Sequence, residues 1–155
     1  MSVNFTTGEV TEDEAAAAGM DMVPLNLAAL SEDELVALLP TPVQCAGALQ
    51  YARQVAARAP KALNELRTAL AERERELTIA VAIGARDLLA EYPRLPMSER
   101  RDIARATDKR VSEAQEARDT AWLLLEYARD YDRAIGRDID ILRSLNANMR
   151  GEFRG

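Results

Sequence analysis

Apolar residues recur at intervals of three and four over most of this chain, the spacing of one face of an α-helix rather than the alternation of a half-buried strand. The first firm start signal is Ser31-Glu32-Asp33-Glu34, where Ser31 can cap a helix and Glu34 can reach back to the cap amide. A short helix from Glu32 to about Leu39 is predicted, stopped by Pro40 and Pro42. Thr41, with Pro42 at the first helical position, opens the next helix. That helix carries Val43, Ala46, Leu49, Ala52 (or Arg53), Val55 and Ala56 along one side, to about Arg58. Pro60 then either kinks it or begins a new one.

From Lys61 to Tyr92 the apolar positions Leu63, Leu66, Leu70, Leu77, Val81 and Leu88 predict a helix of roughly 50 Å, ended by Pro93 and Pro96. The segment from Tyr92 to Met97 is short enough for a hairpin turn. Ser98 with Glu99 then predicts a cap for the longest element, which runs to about Arg150 before Gly151 ends it. A heptad register fits Ile103, Thr107, Arg110, Ala114, Ala117, Ala121, Leu124, Ala128, Tyr131, Ile135, Asp138, Leu142, Leu145 and Met149. Several of these are alanines, which let two helices approach closely.

The expected fold is therefore all-α, a long antiparallel coiled-coil-like hairpin with shorter N-terminal helices packed on it. Its parts are an acidic, partly flexible arm (1–30), the short helices (31–59) and the hairpin (60–155). The last helix, at roughly 78 Å, outruns its partner by about 28 Å, so either the 42–58 helix or a second copy of the chain must cover the excess. Ala121-Trp122-Leu123-Leu124-Leu125 is apolar on every face. Trp122, Leu123, Leu125, Tyr127 and Tyr131 thus form a candidate oligomer or packing interface, and a homo-oligomer is expected.

Composition agrees, since aromatics are only 5% of the chain and Ala, Leu, Arg and Glu dominate. The absence of histidine removes Ser–His and Cys–His nucleophilic sites within one chain and the usual imidazole metal ligand. Cys45, the lone cysteine, can make neither an internal disulfide nor a cysteine zinc site, and is expected to be a small buried residue. The glycines are dispersed, so no phosphate-cradling loop is present. Glu126, Asp130, Asp132, Asp138 and Asp140 form the densest acidic cluster, but Arg129, Arg133, Arg137 and Arg143 interleave, which predicts a solvated, salt-bridged face. No enzyme activity, cofactor, metal or small-molecule substrate is expected. The start of the chain lacks the pattern of a signal peptide, and the uncharged run Leu77 to Ala85 is about half the roughly 18 residues needed to cross a bilayer. A cytoplasmic protein with no membrane partner is the expectation.

Charge is unevenly spread. Residues 1–40 hold eight acids and no base, a net of −8, while the remainder holds 20 bases and 18 acids, a net of +2. The start of the long helix reverses the sign: Arg94, Arg100, Arg101, Arg105, Lys109 and Arg110 face only Glu99, Asp102 and Asp108, a net of +3. Arg94, Arg101, Arg105 and Lys109 are therefore candidate contacts for nucleic-acid phosphates or for the acidic arm.

The pattern from Leu63 to Tyr92, the proline turn, Ser98-Glu99-Arg100-Arg101, an Ala-rich charged helix and the ending Leu142-Arg-Ser-Leu-Asn-Ala-Asn-Met-Arg150 resembles small coiled-coil proteins encoded by tailed bacteriophages of high-GC hosts. The resemblance covers residues 60 to 152 and implies no catalytic motif. The proteins this chain resembles have no settled activity; the acidic arm and the extended helical surface point to a phage-type interaction protein that binds a host or phage protein as adaptor or inhibitor. The alternatives are a nucleic-acid-binding accessory of phage recombination or replication and a structural virion or scaffold component.

Overall fold

The computed structural model describes residues 25–154 of the chain, with side chains to Gly151; the greater part of the expected acidic arm, residues 1–24, lies outside the described residues. A 3₁₀ turn at Leu27–Ala29 is followed by α1 (Glu32–Leu38), α2 (Pro42–Asp87), α3 (Met97–Thr107) and α4 (Lys109–Arg154), with no strand among the described residues. The fold is the expected all-α one, with long helices packed as a hairpin.

The start signals operate as their chemistry dictates. Ser31 Oγ accepts the Glu34 N–H at 3.2 Å while Glu34 Oε2 accepts the Ser31 N–H at 2.9 Å, so α1 has a complete capping box. Thr41 Oγ1 accepts the Gln44 N–H at 3.3 Å, and Pro42 is the first residue of α2.

Five boundaries differ from the pattern-based expectation. Pro60 lies inside α2, which is one helix of 46 residues rather than two. Pro60 is exposed while Val55, Ala59 and Ala62 are buried, so the proline sits where water serves the carbonyl it leaves unpaired and packing holds the helix on the other side. The end of α2 comes at Asp87, before Tyr92, because the Leu89 N–H turns to the Arg86 carbonyl three residues back at 3.1 Å. Pro96 rather than Ser98 is the cap residue of α3, with no side-chain cap, and Gly151 is passed by α4. Because α2 and α4 are each 46 residues long, the expected length mismatch disappears, and with it that argument for a second copy.

The fifth departure is the largest. The expected helix from Glu99 to Arg150 is broken at Asp108, whose backbone is extended at φ −83° and ψ 119°. Asp108 Oδ1 accepts the Arg110 N–H at 2.9 Å, so the carboxylate caps the new helix in place of a backbone carbonyl.

Contacts divide the described chain into two compact units, residues 64–125 and residues 25–63 with 126–154. In the first, Val81, Ala104 and Val111 form the core, flanked by Leu77, Ala80 and Leu88. Gly84 allows close approach here: a Cβ on it would lie 2.8 Å from Asp108 Oδ2 and 3.0 Å from the Ala104 Cβ. The break re-phases the buried face, so Ala104 and Val111 are buried whereas the register positions Thr107 and Arg110 are exposed.

In the second unit Leu27, Cys45, Leu49, Ala52, Leu142 and Met149 form the core. Cys45 is fully buried, as expected, with its thiol 3.6 Å from the Leu142 carbonyl, and burial pushes its pKa up. The buried stripe of α2 passes through Cys45 instead of Val43, which is 81% exposed. Ala128, Tyr131, Ile135, Asp138, Leu142 and Met149 of the heptad register are all buried. Asp138 is the exception to the solvated acidic face. Its two carboxylate oxygens accept the N–H groups of Leu27, at 2.8 Å, and Asn26, at 3.0 Å, and so pin the 3₁₀ turn to α4. Asn26 stands in the left-handed region at φ 54°, a conformation asparagine tolerates better than most residues.

Candidate functional site

The basic stretch is rearranged by the break at Asp108. Arg101 and Arg105, one helical turn apart on α3, line a groove of about 350 Å³ with Leu77, Thr78, Val81, Ala82 and Gln115. Arg105 also pairs with Asp102 at 3.0 Å, but both side chains stay more than half exposed, so the pair leaves the arginine available. The other two candidates are not among the lining residues of the groove. Arg94 is exposed on the α2–α3 connection, and Lys109, its side chain 89% exposed, pairs with Glu113 at 3.5 Å after the helix has restarted. The structure thus unites two of the four.

Arg110 is occupied elsewhere. It bridges Asp87 at 2.7 Å and Asp108 at 2.8 Å, which ties the end of α2 to the start of α4 and offsets its charge with two carboxylates. The guanidinium, by hydrogen bonding first of all, holds the Asp108 carboxyl below its ordinary value, and the Arg110 pKa is raised in turn. A carboxyl depressed in the fold contributes stability that is present above the unfolded value, about 3.9, and is lost as pH falls through the folded value. Asp108→Asn keeps a cap acceptor but removes the charge. Its unfolding free energy is expected to fall less steeply than that of the parent between about pH 5 and pH 2, followed by urea titration at each pH. Equal slopes for the two proteins would sink this account of Asp108.

Two features escaped the sequence reading. Arg100 is only 8% exposed, and among the described residues its Nε and Nη1 have no hydrogen-bond partner. The signal was present, because Arg100 precedes the packed Ala104 by one turn and so shares its face. The second is apolar exposure around the α2–α3 connection, where Leu89 is 47%, Tyr92 39% and Met97 43% exposed. Short loops ordinarily present polar residues, so three large apolar side chains left exposed within nine residues depart from that pattern.

The aromatic candidates separate by burial. Leu125 and Tyr131 are buried within the fold, and Leu123 and Tyr127 are half-buried. Tyr131 and Tyr127 pack ring against ring at 6.3 Å. Trp122 is 43% exposed. Elsewhere on α4, Glu126 pairs with Arg129 and Asp130 with Arg133, in keeping with a salt-bridged face. No group of three or more metal-ligating side chains comes together among the described residues, and no helix among them is long and apolar enough to cross a membrane.

No protein-family model, curated protein or solved structure matches the chain.

Proposed function

We propose that this chain is a non-enzymatic helical interaction protein, of the phage type its sequence resembles, that docks on a host or phage protein as an adaptor or inhibitor. The observation that carries this reading is the exposed apolar tip, Leu89, Tyr92 and Met97. Three large side chains within nine residues, left half in water on a surface otherwise rich in ion pairs, gain free energy when a partner covers them. Trp122, 43% exposed on a long helix, gives self-association a place in the same reading.

A second reading, a nucleic-acid-binding accessory protein, is favoured by the Arg101–Arg105 groove. One experiment separates the two. Tagged full-length protein is used to capture ligands from bacterial lysate with and without nuclease, beside the variants Leu89→Ser/Tyr92→Ser/Met97→Ser and Arg101→Glu/Arg105→Glu. The expected result is a stoichiometric protein that survives nuclease, is retained by the arginine variant and falls at least about tenfold with the tip variant. Capture that vanishes with nuclease and with the arginine variant, while the tip variant behaves as the parent, would establish the accessory reading instead.

A further inference from the structure

A second groove, of about 490 Å³, lies in the unit formed by residues 25–63 and 126–154. Its walls are two helical stripes of the same spacing, Ala46, Leu49, Gln50 and Arg53 on α2 and Arg143, Asn146, Ala147 and Arg150 on α4. Each stripe reads i, i+3, i+4, i+7, so each wall is two turns long, about 10 Å. Three arginines therefore converge on one concavity with two amide side chains between them. Among the described residues none of the three has an ion-pair partner, and no Asp or Glu lines the groove.

Elsewhere Arg73, Arg105, Arg110, Arg118, Arg129 and Arg133 each have an acidic partner, whereas here three arginines without one line a single groove. The three positive charges line one groove without counter-charge, so an anionic ligand there gains attraction from each of them. In an antiparallel helix pair Arg53 faces Arg143 while Arg150 stands at the other end. The charge is thus split into two poles separated by an amide and aliphatic middle.

The lining chooses between ligands. Guanidinium forks fit carboxylate and phosphate equally well, so charge alone does not decide. No aromatic side chain lines the groove, and single-stranded nucleic acid in a channel is held largely by bases stacked on aromatics. Leu49, Ala46 and Ala147 instead offer an aliphatic floor between the poles. A peptide with carboxylates at both ends of a two-turn stretch and small aliphatic side chains between them satisfies both parts.

We infer that this groove is a binding site for an acidic peptide segment of the partner protein, its carboxylates held by Arg53, Arg143 and Arg150 and its aliphatic side chains resting on Leu49. The inference rests on the protein-binding reading above and names the chemistry of a second contact. Gln50 and Asn146 supply donors and acceptors to the backbone of the bound segment.

The test needs no cellular partner, so it can fail independently of the capture experiment. Full-length protein is titrated into a short fluorescein-labelled peptide that alternates pairs of glutamates with alanine and leucine, followed by anisotropy. Arg143→Glu/Arg150→Glu changes two exposed side chains, and circular dichroism confirms that it keeps its helices. The expected result is binding that weakens as salt rises, falls at least about tenfold in the variant, and is absent for the same peptide with glutamine for glutamate. The inference is overturned if the variant binds the acidic peptide as tightly as the parent, or if the glutamine peptide binds equally well. It is also overturned if a single-stranded oligonucleotide displaces the peptide and itself loses affinity with the same substitution, which would assign the groove to nucleic acid.

Discussion

Replacing Asp138 by alanine is expected to loosen the 3₁₀ turn from α4 and to make the lone cysteine reactive. Asp138 is 1% exposed, and among the described residues its carboxylate accepts from two backbone N–H groups more than a hundred residues away in sequence. Removing the carboxylate orphans both donors, at roughly 1–3 kcal/mol for each one that stays buried. The segment has an escape, however: residues 25–30 can peel away so that water serves the amides. The global loss is then limited to what the docking contributed, and the diagnostic signal is local. Leu27 packs in one cluster with Cys45 and Leu142, so its departure uncovers the Cys45 thiol. With one cysteine in the chain, thiol titration reports on that site alone. Buried and with its pKa raised, Cys45 should react slowly in the parent; Asp138→Ala should react at least about tenfold faster, together with faster amide exchange at Asn26 and Leu27. Asp138→Asn should behave similarly, because each oxygen accepts one N–H and an amide offers only one oxygen. An unchanged thiol rate in both variants would show that Asp138 does not hold the turn.

Asp138 also marks what was legible in the sequence. The heptad register placed it at a seam position, and its neighbours Arg137 and Asp140 placed it in a charged cluster; only the first of these describes its surroundings. Periodicity reads which face is buried, but it carries no information about a segment arriving from elsewhere in the chain to satisfy a buried charge. The same holds at Pro60, where helix-breaking chemistry was outweighed by packing on the opposite face. At Asp108 the misreading has another origin. A single Asp in an Ala-rich charged helix looks like a surface residue, and its capping role depends on a glycine 24 positions earlier that leaves room for it. The cap chemistry at Ser31 and Thr41 was legible because donor, acceptor and spacing all lie within four residues. Of the candidate site, Arg101 and Arg105 were found from charge density. The tip was missed because exposure of Leu89, Tyr92 and Met97 depends on where α2 stops, and the Arg53–Arg143–Arg150 groove because its members come from two distant helices.

Gly84→Ala and Gly136→Ala are expected to move stability in opposite directions. Both glycines lie inside long helices, where alanine is intrinsically better by about 1 kcal/mol. At Gly136 nothing lies within 4 Å of the added Cβ, so the helical gain is realised in full and the protein should gain about 1 kcal/mol. At Gly84 the new methyl would meet Asp108 Oδ2 at 2.8 Å and the Ala104 Cβ at 3.0 Å. The carboxylate is not free to swing aside, because it holds the Arg110 N–H and the Arg110 guanidinium, and a Cβ moves only with its backbone. Overpacking of this kind typically costs about 1–3 kcal/mol, which exceeds the propensity gain, so Gly84→Ala should be destabilising. Gly84→Leu adds a branched side chain to the same contact and should lose several kcal/mol, separating α2 from the α3–α4 break. The compensating change identifies the cause: Ala104→Gly placed in the Gly84→Ala background should recover part of the loss, although glycine on its own weakens α3. Urea unfolding of the four single variants and the double variant measures all of these. If Gly84→Ala stabilises as Gly136→Ala does, the close approach at Asp108 is absent in solution, and the break it supports requires another cause.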